Sequence, residues 1–536
     1  MRVLAIIPAC EGSTTLPNKN MRVLNGKPMI YYVINNAKKC KYVNDVIVTS
    51  NSDDIVSLAK QMHVLTRKRE SKLSSSSISI DEVVMDVFKQ LNLNEYDVVI
   101  TMQSISPMLK HETLELAFES FISNNYDTLI SVKNMQYFFW KSEDNKVISM
   151  QEKRMNRHQL PPFFVETGAF LITKSTFVKK NSRIGNDIGL FELHGDEAID
   201  VNDFGDLQLV ENAMNRKNTA IFVNGYNEIG LGHIARVLQI ADELFSKPDI
   251  YYDSNLTDRN SFGDTKYNLI PVDGFDGFIG KIKEKHYDII INDILDTDIK
   301  FMQSLKNASP KTRIINFEDD GNGAVIADVV INALYENKKE RNVVCGSRFF
   351  IVPKLFLIFN PIIIRKKVKN IVVTFGGADP KNYTETVLNI ISGEQYQDKH
   401  FYVVLGRANK NANMIADKYK DRSNITVLCD INNIAEIMFE CDVAISSRGR
   451  TCFELAALGI PTLSIAQHSR EELHTFVCED NGFICLSSNP SEKSIIESVK
   501  YLITSNQNYR INMQKRMLKH DLRNGRKNVA MIISKK

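Results

Sequence analysis

The residue with the clearest chemical potential is His233, which follows Gly230 and Gly232 in a short loop. The apolar run 220–223 before this loop predicts a buried strand, and residues 234–245 show helical apolar spacing. A strand, a glycine-rich turn and a helix N-terminus form an anion site, because backbone N–H groups and the helix dipole point at one spot. An imidazole beside a bound phosphate or sugar is a candidate general base. The alternative is a core or capping histidine.

A second phosphate-binding pattern lies near the N-terminus. Gly12 and Ser13 would let backbone N–H groups approach a phosphate, and Lys19 supplies a mobile cation for a polyphosphate. The alternative is an ordinary polar loop after a first strand.

Two more glycine loops lie in the C-terminal part. Gly376 and Gly377 end a predicted strand, and residues 446–454 repeat the order strand, glycine loop and helix. Backbone N–H groups from Gly449 to Thr451 are expected to hold a diphosphate. The two arginines that would add charge-assisted bonds are Arg448 and Arg450. Glu454 is placed to accept ribose hydroxyls, or alternatively is a first-turn charge that the helix dipole favours.

The elements that position these loops alternate between strand and helix. In the N-terminal part they are predicted at Val3–Ile7, Met29–Lys38, Asp45–Ser50, Asp53–Gln61, Asp97–Met102, His111–Ser123 and Thr128–Val132. This alternation predicts an α/β fold with an open, largely parallel sheet, which binds ligands at the carboxyl ends of its strands. The polar clusters 8–20, 49–54 and 103–107 fall at those ends.

The alternation resumes after residue 218 in two successive series. Strands are predicted at 219–223, 249–252, 288–291, 313–317 and 329–332, and then at 371–375, 401–405, 425–428, 443–446 and 462–465. Helices of the second series are predicted at 384–391, 435–440 and 451–458. Two such series predict two lobes with a cleft between them. The polar stretch 211–218 marks a boundary, so the predicted domains are 1–215, 219–360 and 368–536.

Composition excludes several function classes. The chain has 67 basic and 64 acidic residues among 536, a net charge of +3, without the concentrated basic excess of a nucleic-acid-binding protein. Its eight cysteines are scattered without a CxxC pair, which favours a reduced, cytoplasmic protein. The apolar N-terminus is too short for a signal peptide, and prolines interrupt the apolar segment 349–364. We therefore expect no membrane span.

The N-terminal motifs resemble those of the sialic-acid cytidylyltransferases. The pattern Ile-Pro-Ala-x-x-Gly-Ser-x-x-x-Pro-x-Lys-Asn occupies residues 7–20, and the resemblance continues through much of 1–215. It implies a Rossmann-like, GT-A-like nucleotidyltransferase that joins CTP and a nonulosonic, sialic-acid-like sugar to give the CMP-sugar and pyrophosphate, with Mg²⁺. The implied site residues are catalytic Lys19, nucleotide-binding Gly12, Ser13, Asn20, Arg69 and Gln103, substrate-binding Arg157 and Thr167, and metal-binding Asp200 and Asn202.

Several positions depart from that family's pattern. Cys10 replaces an arginine and Thr14 a lysine, so two cations that would face the triphosphate are missing. Asn202 replaces a carboxylate, which should weaken Mg²⁺ binding. Thr167 stands where the family has asparagine, and His158 where it has glutamine. These changes fit two alternatives: an active enzyme of altered specificity, or a domain that binds nucleotide with little catalysis.

The C-terminal motifs at 229–236, 375–379 and 450–454 resemble the GT-B-like nucleotide-sugar hydrolases of pseudaminic-acid synthesis, over most of 219–485. These enzymes remove UDP from a diacetamido-trideoxyhexose without a cofactor. The resemblance implies that His233 helps water attack the anomeric carbon and that Arg236 lies on the sugar side. The residues implied for UDP binding are Gly376, Gly377, Gly449, Arg450, Thr451 and Glu454.

Two hypotheses from different classes follow. The first is a bifunctional enzyme of nonulosonic-acid biosynthesis, with CTP, a nonulosonic acid and a UDP-sugar as partners and a homodimer through the N-terminal domain. The second is a surface-polysaccharide glycosyltransferase with a degenerate nucleotide-binding N-terminal domain, because a two-lobed fold does not decide between water and a sugar hydroxyl as acceptor. A nucleotide-sensing scaffold is a third interpretation.

Overall fold

The structure, a computed structural model, describes all residues except 12–14, 71–72, 74–77, 91–94, 152, 179–181, 226–231, 336–341, 407–408, 432 and 536. The chain forms two compact units, Met1–Arg216 and Lys217–Lys536. Within the described residues, no helix is both long enough and apolar enough to cross a membrane.

A seven-stranded sheet forms the centre of the first unit. The strands of this unit are β1 (Val3–Pro8), β2 (Val23–Leu24), β3 (Lys27–Pro28), β4 (Asp45–Ser50), β5 (Leu65–Lys68), β6 (Val98–Thr101), β7 (Thr128–Asn134), β8 (Trp140–Glu143), β9 (Lys146–Ser149), β10 (Phe164–Lys174) and β11 (Ile188–Glu192). The sheet order is β11-β7-β10-β6-β1-β4-β5, and β10 runs antiparallel to both of its neighbours. The pairs β2–β3 and β8–β9 are separate antiparallel hairpins.

Helices cover both faces of this sheet. They are α1 (Met29–Lys39), α2 (Asp53–Gln61), α3 (Ile80–Gln90), α4 (His111–Ser123), α5 (Ser175–Val178) and α6 (Phe204–Met214). Val3, Ala5 and Ile7 of β1 belong to one buried cluster, and Leu4 and Ile6 belong to another. Because both faces of β1 are buried, its sequence is continuously apolar rather than alternating.

The second unit contains two lobes, each built on a parallel sheet. The N-lobe has β12 (Thr219–Val223), α7 (Gly232–Ala241), β13 (Asp249–Asp253), β14 (Asn268–Val272), α8 (Gly274–Glu284), β15 (Ile289–Asp293), α9 (Ile299–Ala308), β16 (Arg313–Phe317), β17 (Val329–Asn332) and β18 (Val343–Cys345). Its strand order is β14-β13-β12-β15-β16-β17-β18, and all pairs are parallel.

The C-lobe follows the helix α10 (Lys354–Ile358). It has β19 (Asn370–Thr374), α11 (Tyr383–Ile391), β20 (His400–Leu405), α12 (Ala412–Tyr419), β21 (Ile425–Cys429), α13 (Ile434–Phe439), β22 (Val443–Ser447), α14 (Thr451–Ala457), β23 (Thr462–Ile465), α15 (Ser469–Glu472), β24 (Phe483–Leu486), α16 (Glu492–Thr504), α17 (Gln507–Met517) and α18 (Gly525–Ser534). Its parallel sheet has the order β21-β20-β19-β22-β23-β24.

One apolar cluster joins the two lobes. It includes Val237 of α7, Phe350 in the connecting segment, and Phe453 and Phe476 in the C-lobe. Phe350 stacks on Phe453 with ring centres 4.3 Å apart, and Phe453 lies 4.6 Å from Phe476. The predicted α/β class, a largely parallel N-terminal sheet followed by a two-lobed region, is confirmed.

Candidate active sites

A cavity of about 240 Å³ in the first unit is lined in part by residues that follow β1, β5 and β6. Its polar lining includes Cys10, Lys19, Asn20, Arg69, Gln103 and Ser104. Four predicted site residues, Lys19, Asn20, Arg69 and Gln103, are therefore brought together. Gly12 and Ser13 lie outside the described residues.

Two cations face this cavity. Burial lowers the pKa of Lys19, and the nearby Cys10, Asp206 and Asp200 partly offset this shift. Burial also lowers the pKa of Arg69, which is only 5% exposed and donates from its guanidinium to the carbonyl of Ala9 at 3.2 Å. Cations in a partly desolvated pocket suit a polyphosphate, because the phosphate charge replaces the lost water.

Asn20 ties the first loop to the end of β6. Its amide donates to the carbonyl of Cys10 at 2.6 Å, and its oxygen accepts from the hydroxyl of Ser104. Asn20 is 6% exposed, so its side chain fixes the shape of the cavity wall. The Cys10 side chain itself is exposed.

Asp200 joins two loops at the same edge of the sheet. One carboxylate oxygen accepts from the Ser106 hydroxyl at 2.5 Å, and the other accepts from the Gly168 N–H at 2.9 Å. Gly168 lies at an irregularity in β10, and a Cβ there would be 2.5 Å from Ile105. Its carbonyl accepts from the backbone N–H of Gln103 at 2.9 Å. A glycine is thus required at position 168, because a larger residue would be too close to Ile105.

The expected metal site has one suitable carboxylate. Each oxygen of Asp200 accepts one protein hydrogen bond and keeps a lone pair for a cation. The exposed Asn202 donates its backbone N–H to Asp206, whose carboxylate also accepts from Asp203 in the cap of α6. Within the described residues no group of three or more His, Cys, Asp or Glu is arranged to hold a metal. These residues fit Mg²⁺ only where substrate phosphates supply most ligands.

The two predicted sugar-side residues do not line this cavity. The hydroxyl of Thr167 donates to the Ser131 hydroxyl at 2.8 Å, and Thr167 is 9% exposed. The exposed Arg157 places its guanidinium over the Tyr137 ring at 4.2 Å. A role for either residue in sugar binding remains a prediction.

A second cavity, of about 300 Å³, lies between the lobes of the second unit. The N-lobe contributes Gly232, His233, Arg236, Glu318 and Tyr335, among others, and the C-lobe contributes Gly449, Arg450, His468, Arg470, Glu471 and His474. The predicted residues His233, Arg236, Gly449 and Arg450 therefore meet in one place.

His233 is paired with a buried carboxylate. It lies at the start of α7, and its Nδ1 is 2.5 Å from Oδ1 of Asp293 at the end of β15. Asp293 is fully buried. Although burial opposes ionisation, the charges of Arg236 and His233 lower the pKa of Asp293 well below its usual range. A carboxylate only accepts hydrogen bonds, so in the neutral form of His233 the proton lies on Nδ1 and the lone pair on Nε2.

Arg236 holds this carboxylate in place. Its guanidinium donates to both oxygens of Asp293, at 2.7 and 2.6 Å, and pairs with Glu318 at 3.0 Å. Burial alone would lower the pKa of Arg236, but the carboxylates of Asp293 and Glu318 raise it above its usual value. Arg236 is 3% exposed, so this side chain positions Asp293 rather than reaching far into the cavity.

The glycine loops of the C-lobe lie side by side at the ends of the paired strands β19 and β22. Gly376 has φ +79°, which favours glycine. The hydroxyl oxygen of Ser447 lies 3.9 Å from the position of a Cβ at Gly376 and 3.4 Å from one at Gly449. Burial raises the pKa of Glu454 to about 7, partly opposed by Arg450. Gly376, Gly377, Thr451 and Glu454 are not among the described residues that line the interlobe cavity.

Direct contacts between the lobes border the interlobe cavity. Arg470 donates to the Tyr335 hydroxyl at 3.1 Å and lies 3.6 Å from Asp296. The His474 ring packs edge-on against Tyr335, and its Nδ1 lies 2.7 Å from the Arg448 carbonyl oxygen. Burial lowers the pKa of His474 to about 4.

Sequence reasoning missed Asp293, Tyr335 and His474 as site residues. A signal for Asp293 was present, because Asn292 and Asp293 end a buried apolar run in a series of predicted parallel strands. Polar residues at such strand ends belong to the ligand-binding edge of the sheet. Tyr335 and His474 had no comparable local signal.

Two family models match the chain. Residues 4–187 match the model described as Cytidylyltransferase, and residues 370–529 match the Glycosyltransferase family 28 C-terminal domain. The two matches fall in different units of the structure.

Three curated relatives span different parts of the chain. One from Helicobacter pylori, "Pseudaminic acid cytidylyltransferase and UDP-2,4-diacetamido-2,4,6-trideoxy-beta-L-altropyranose hydrolase", is 24% identical over 90% of this chain and 91% of its own length. The Pseudaminic acid cytidylyltransferase of Campylobacter jejuni is 27% identical over 39% of this chain and 95% of its own. The Spore coat polysaccharide biosynthesis protein SpsG of Bacillus subtilis is 24% identical over 49% of this chain and 82% of its own.

Proposed function

We propose that this chain, which joins a cytidylyltransferase domain to a glycosyltransferase family 28 C-terminal domain, is a bifunctional enzyme of nonulosonic-acid biosynthesis. Residues 1–215 would convert CTP and a nonulosonic acid into the CMP-sugar and pyrophosphate. Residues 219–360 and 368–536 would hold the sugar and the UDP of a UDP-diacetamido-trideoxyhexose, from which water releases UDP. The similarity to the two-activity relative over 90% of this chain supports both halves.

The His233–Asp293 pair carries the hydrolytic half of the proposal. Asp293 binds Nδ1, so Nε2 is the nitrogen that accepts a proton from water. The water oxygen then bonds to the anomeric carbon, the bond from that carbon to the phosphate oxygen breaks, and UDP leaves with the electron pair. We propose that this half needs no cofactor.

In the first unit, we propose that Lys19 and Arg69 bind the triphosphate of CTP. Asn20 and Gln103 shape the wall beside it. The oxygen of the acid's anomeric hydroxyl bonds to the α-phosphorus and loses its proton to solvent, while the bond from that phosphorus to the bridging oxygen breaks and pyrophosphate leaves with the electron pair. Asp200 would hold Mg²⁺ together with the phosphates, where the ion would neutralise triphosphate charge. CTP is a cytoplasmic metabolite, so we place both activities in the cytoplasm.

A glycosyltransferase with a degenerate N-terminal domain is the second candidate. Asn202 in place of a carboxylate, and Cys10 in place of an arginine, favour it. His233 would then deprotonate a sugar hydroxyl instead of water.

Product release from defined substrates distinguishes these functions. The full-length protein is incubated with UDP-sugars, with and without a glycan acceptor, and UDP is measured. If UDP is released without an acceptor and His233→Ala abolishes that release, the result supports hydrolysis. If UDP is released only when the glycan is present, the result supports transfer. In a parallel assay with CTP, Mg²⁺ and a panel of nonulosonic acids, no pyrophosphate with any acid would refute the cytidylyltransferase half.

We also propose a homodimer formed through the first unit. Exposed apolar side chains concentrate between residues 137 and 165, on the β8–β9 hairpin and the start of β10: Trp140 (54% exposed), Val147 (70%), Ile148 (41%), Met150 (51%) and Phe164 (39%). Such a patch is typical of a protein interface. Val147→Asp should shift the protein to monomer in sedimentation velocity, whereas Phe245→Asp, at a 90% exposed site in the other unit, should not.

A further inference from the structure

Arg450 brings a positive charge into the interlobe cavity without a direct ion pair. Among the described residues, its guanidinium has neither an ion-pair partner nor a hydrogen bond, and it lines the cavity together with His233. A partly buried guanidinium without a partner is costly, because it loses water without gaining an acceptor. This cost points to an anion that arrives with the substrate.

Three carboxylates act on the charge of Arg450, and none forms an ion pair with it among the described residues. Burial raises the pKa of Glu454 to about 7, and the other two carboxylates are engaged elsewhere. Glu318 pairs with Arg236 at 3.0 Å, and Asp293 is shared between Arg236 and His233. Burial, and after it the like charge of Arg236, lower the pKa of Arg450, although Glu318, Asp293 and Glu454 act in the opposite direction.

The position of Arg450 is nevertheless fixed. Its guanidinium lies 4.8 Å from the centre of the Phe350 ring, which is itself buried. On another side, its Cδ would be 3.3 Å from a Cβ at Gly232, the residue before His233. Gly232 leaves room for Arg450 beside the start of α7, so the arginine of the C-lobe lines the same cavity as the histidine of the N-lobe.

We propose that Arg450 is the leaving-group residue of the hydrolysis, binding the sugar-linked phosphate and stabilising its charge as the glycosidic bond breaks. This inference rests on the proposed hydrolysis. As the water oxygen bonds to the anomeric carbon, the carbon–oxygen bond to the phosphate breaks and its electron pair stays on that phosphate. The guanidinium fork matches two phosphate oxygens, and the low dielectric of the cavity strengthens the contact.

Substitution at Arg450 separates this role from a structural one. In the full-length protein, Arg450→Gln should lower kcat for UDP release by about 100-fold, the loss seen when one donor to a developing negative charge is removed. In calorimetric titrations it should weaken binding of UDP at least about tenfold, the value of one charge-assisted contact, and leave uridine binding unchanged. The kcat and the UDP affinity of Arg450→Lys should lie between those of wild type and Arg450→Gln, because lysine keeps the charge but lacks the paired N–H donors of the guanidinium.

Arg348 provides a matched control. Its guanidinium also lies 4.8 Å from a phenylalanine ring, that of Phe349, but the side chain is exposed and lies outside the interlobe cavity. Arg348→Gln should therefore keep both kcat and UDP binding within twofold of wild type.

Three outcomes would overturn the role of Arg450. Arg450→Gln with wild-type kcat and UDP affinity would refute it while the hydrolysis stands. An equal loss of UDP and uridine binding would show a structural role in the lobe. The third outcome concerns the wild-type protein. If it binds UDP but releases no UDP from any UDP-sugar in the absence of an acceptor, both the hydrolysis and the leaving-group role are refuted.

Discussion

His233 is oriented by a carboxylate that lies 60 residues away in the chain. Asp293 sits at the end of β15, Arg236 neutralises it, and Glu318 balances Arg236 in turn. A buried chain of alternating charges is stable only if each member is paired, and here each is. The network fixes which imidazole nitrogen faces the cavity, so the chemistry at His233 depends on Asp293, which does not itself line the cavity.

Asp293→Asn should reduce UDP release by the second unit about 10³-fold, because an amide can bind either tautomer of His233. The measurement is kcat for UDP release at neutral pH. Asp296→Asn is the control, since that carboxylate lies three residues further on and pairs only loosely with Arg470, at 3.6 Å.

Two results bear on that prediction. Wild-type kcat in Asp293→Asn would contradict a positioning role. Because the substitution also removes a partner of buried Arg236, circular dichroism must show that the variant is folded before its rate is interpreted.

His474 should make the second unit sensitive to acid. Its pKa is lowered by burial to about 4, against about 6.5 in an unfolded chain. Between these values the unfolded state binds a proton that the folded state does not, so stability falls as the pH drops from 6.5 to 4. The loss amounts to about 3 kcal/mol. His474→Gln should remove this part of the pH dependence in urea titrations, whereas His286→Gln, at an exposed position, should retain it.

The sequence allowed His233 to be predicted but not its partner. The glycines before His233 are a local signal, whereas the contact with Asp293 joins the start of α7 to the end of β15 and appears only in the folded chain. Arg450 was predicted to bind nucleotide, but its approach to Gly232 comes from the packing of one lobe on the other. Local spacing therefore predicts the residue that does chemistry better than the residues that position it.

At the scale of elements, buried parallel strands were the most predictable feature. The bounds of β4, β16 and β23 agree with those predicted, because these strands are buried along almost their whole length and are rich in apolar and β-branched residues. The C-terminal helices α16 to α18 were missed. In α17 the buried positions include Arg510, which is fully buried and donates to the Lys366 carbonyl at 3.0 Å. A buried arginine breaks the apolar periodicity that would have marked the helix.

Gly525→Ala should weaken the packing of α18. A Cβ at this position would lie 1.8 Å from the carbonyl oxygen of Phe350, so the backbone must shift. We expect the free energy of unfolding to fall by about 1–3 kcal/mol. Gly280→Ala in α8 is a matched control, since nothing lies within 4 Å of its Cβ position. That change should stabilise the protein by up to about 1 kcal/mol, and equal effects of the two substitutions on urea unfolding would refute the argument.

At the scale of the whole molecule, each candidate site belongs to one unit. All residues that line the first cavity lie before residue 106, and those of the interlobe cavity lie between 232 and 474. The pattern of alternating elements predicted this separation into sites, because each glycine loop followed a strand of its own series. Sites built within separate cores can lose function independently, since a local substitution does not disturb contacts in the other unit.

Substitutions in one unit should therefore spare the activity of the other. Lys19→Ala should abolish pyrophosphate release from CTP and leave UDP release unchanged, because Lys19 lines only the first cavity. His233→Ala should do the reverse. A mixture of the two variants should then restore both activities, since each protein contributes one intact site. Both activities are measured on the same samples, and loss of UDP release in Lys19→Ala would show that the units are coupled through contacts beyond the two cavities.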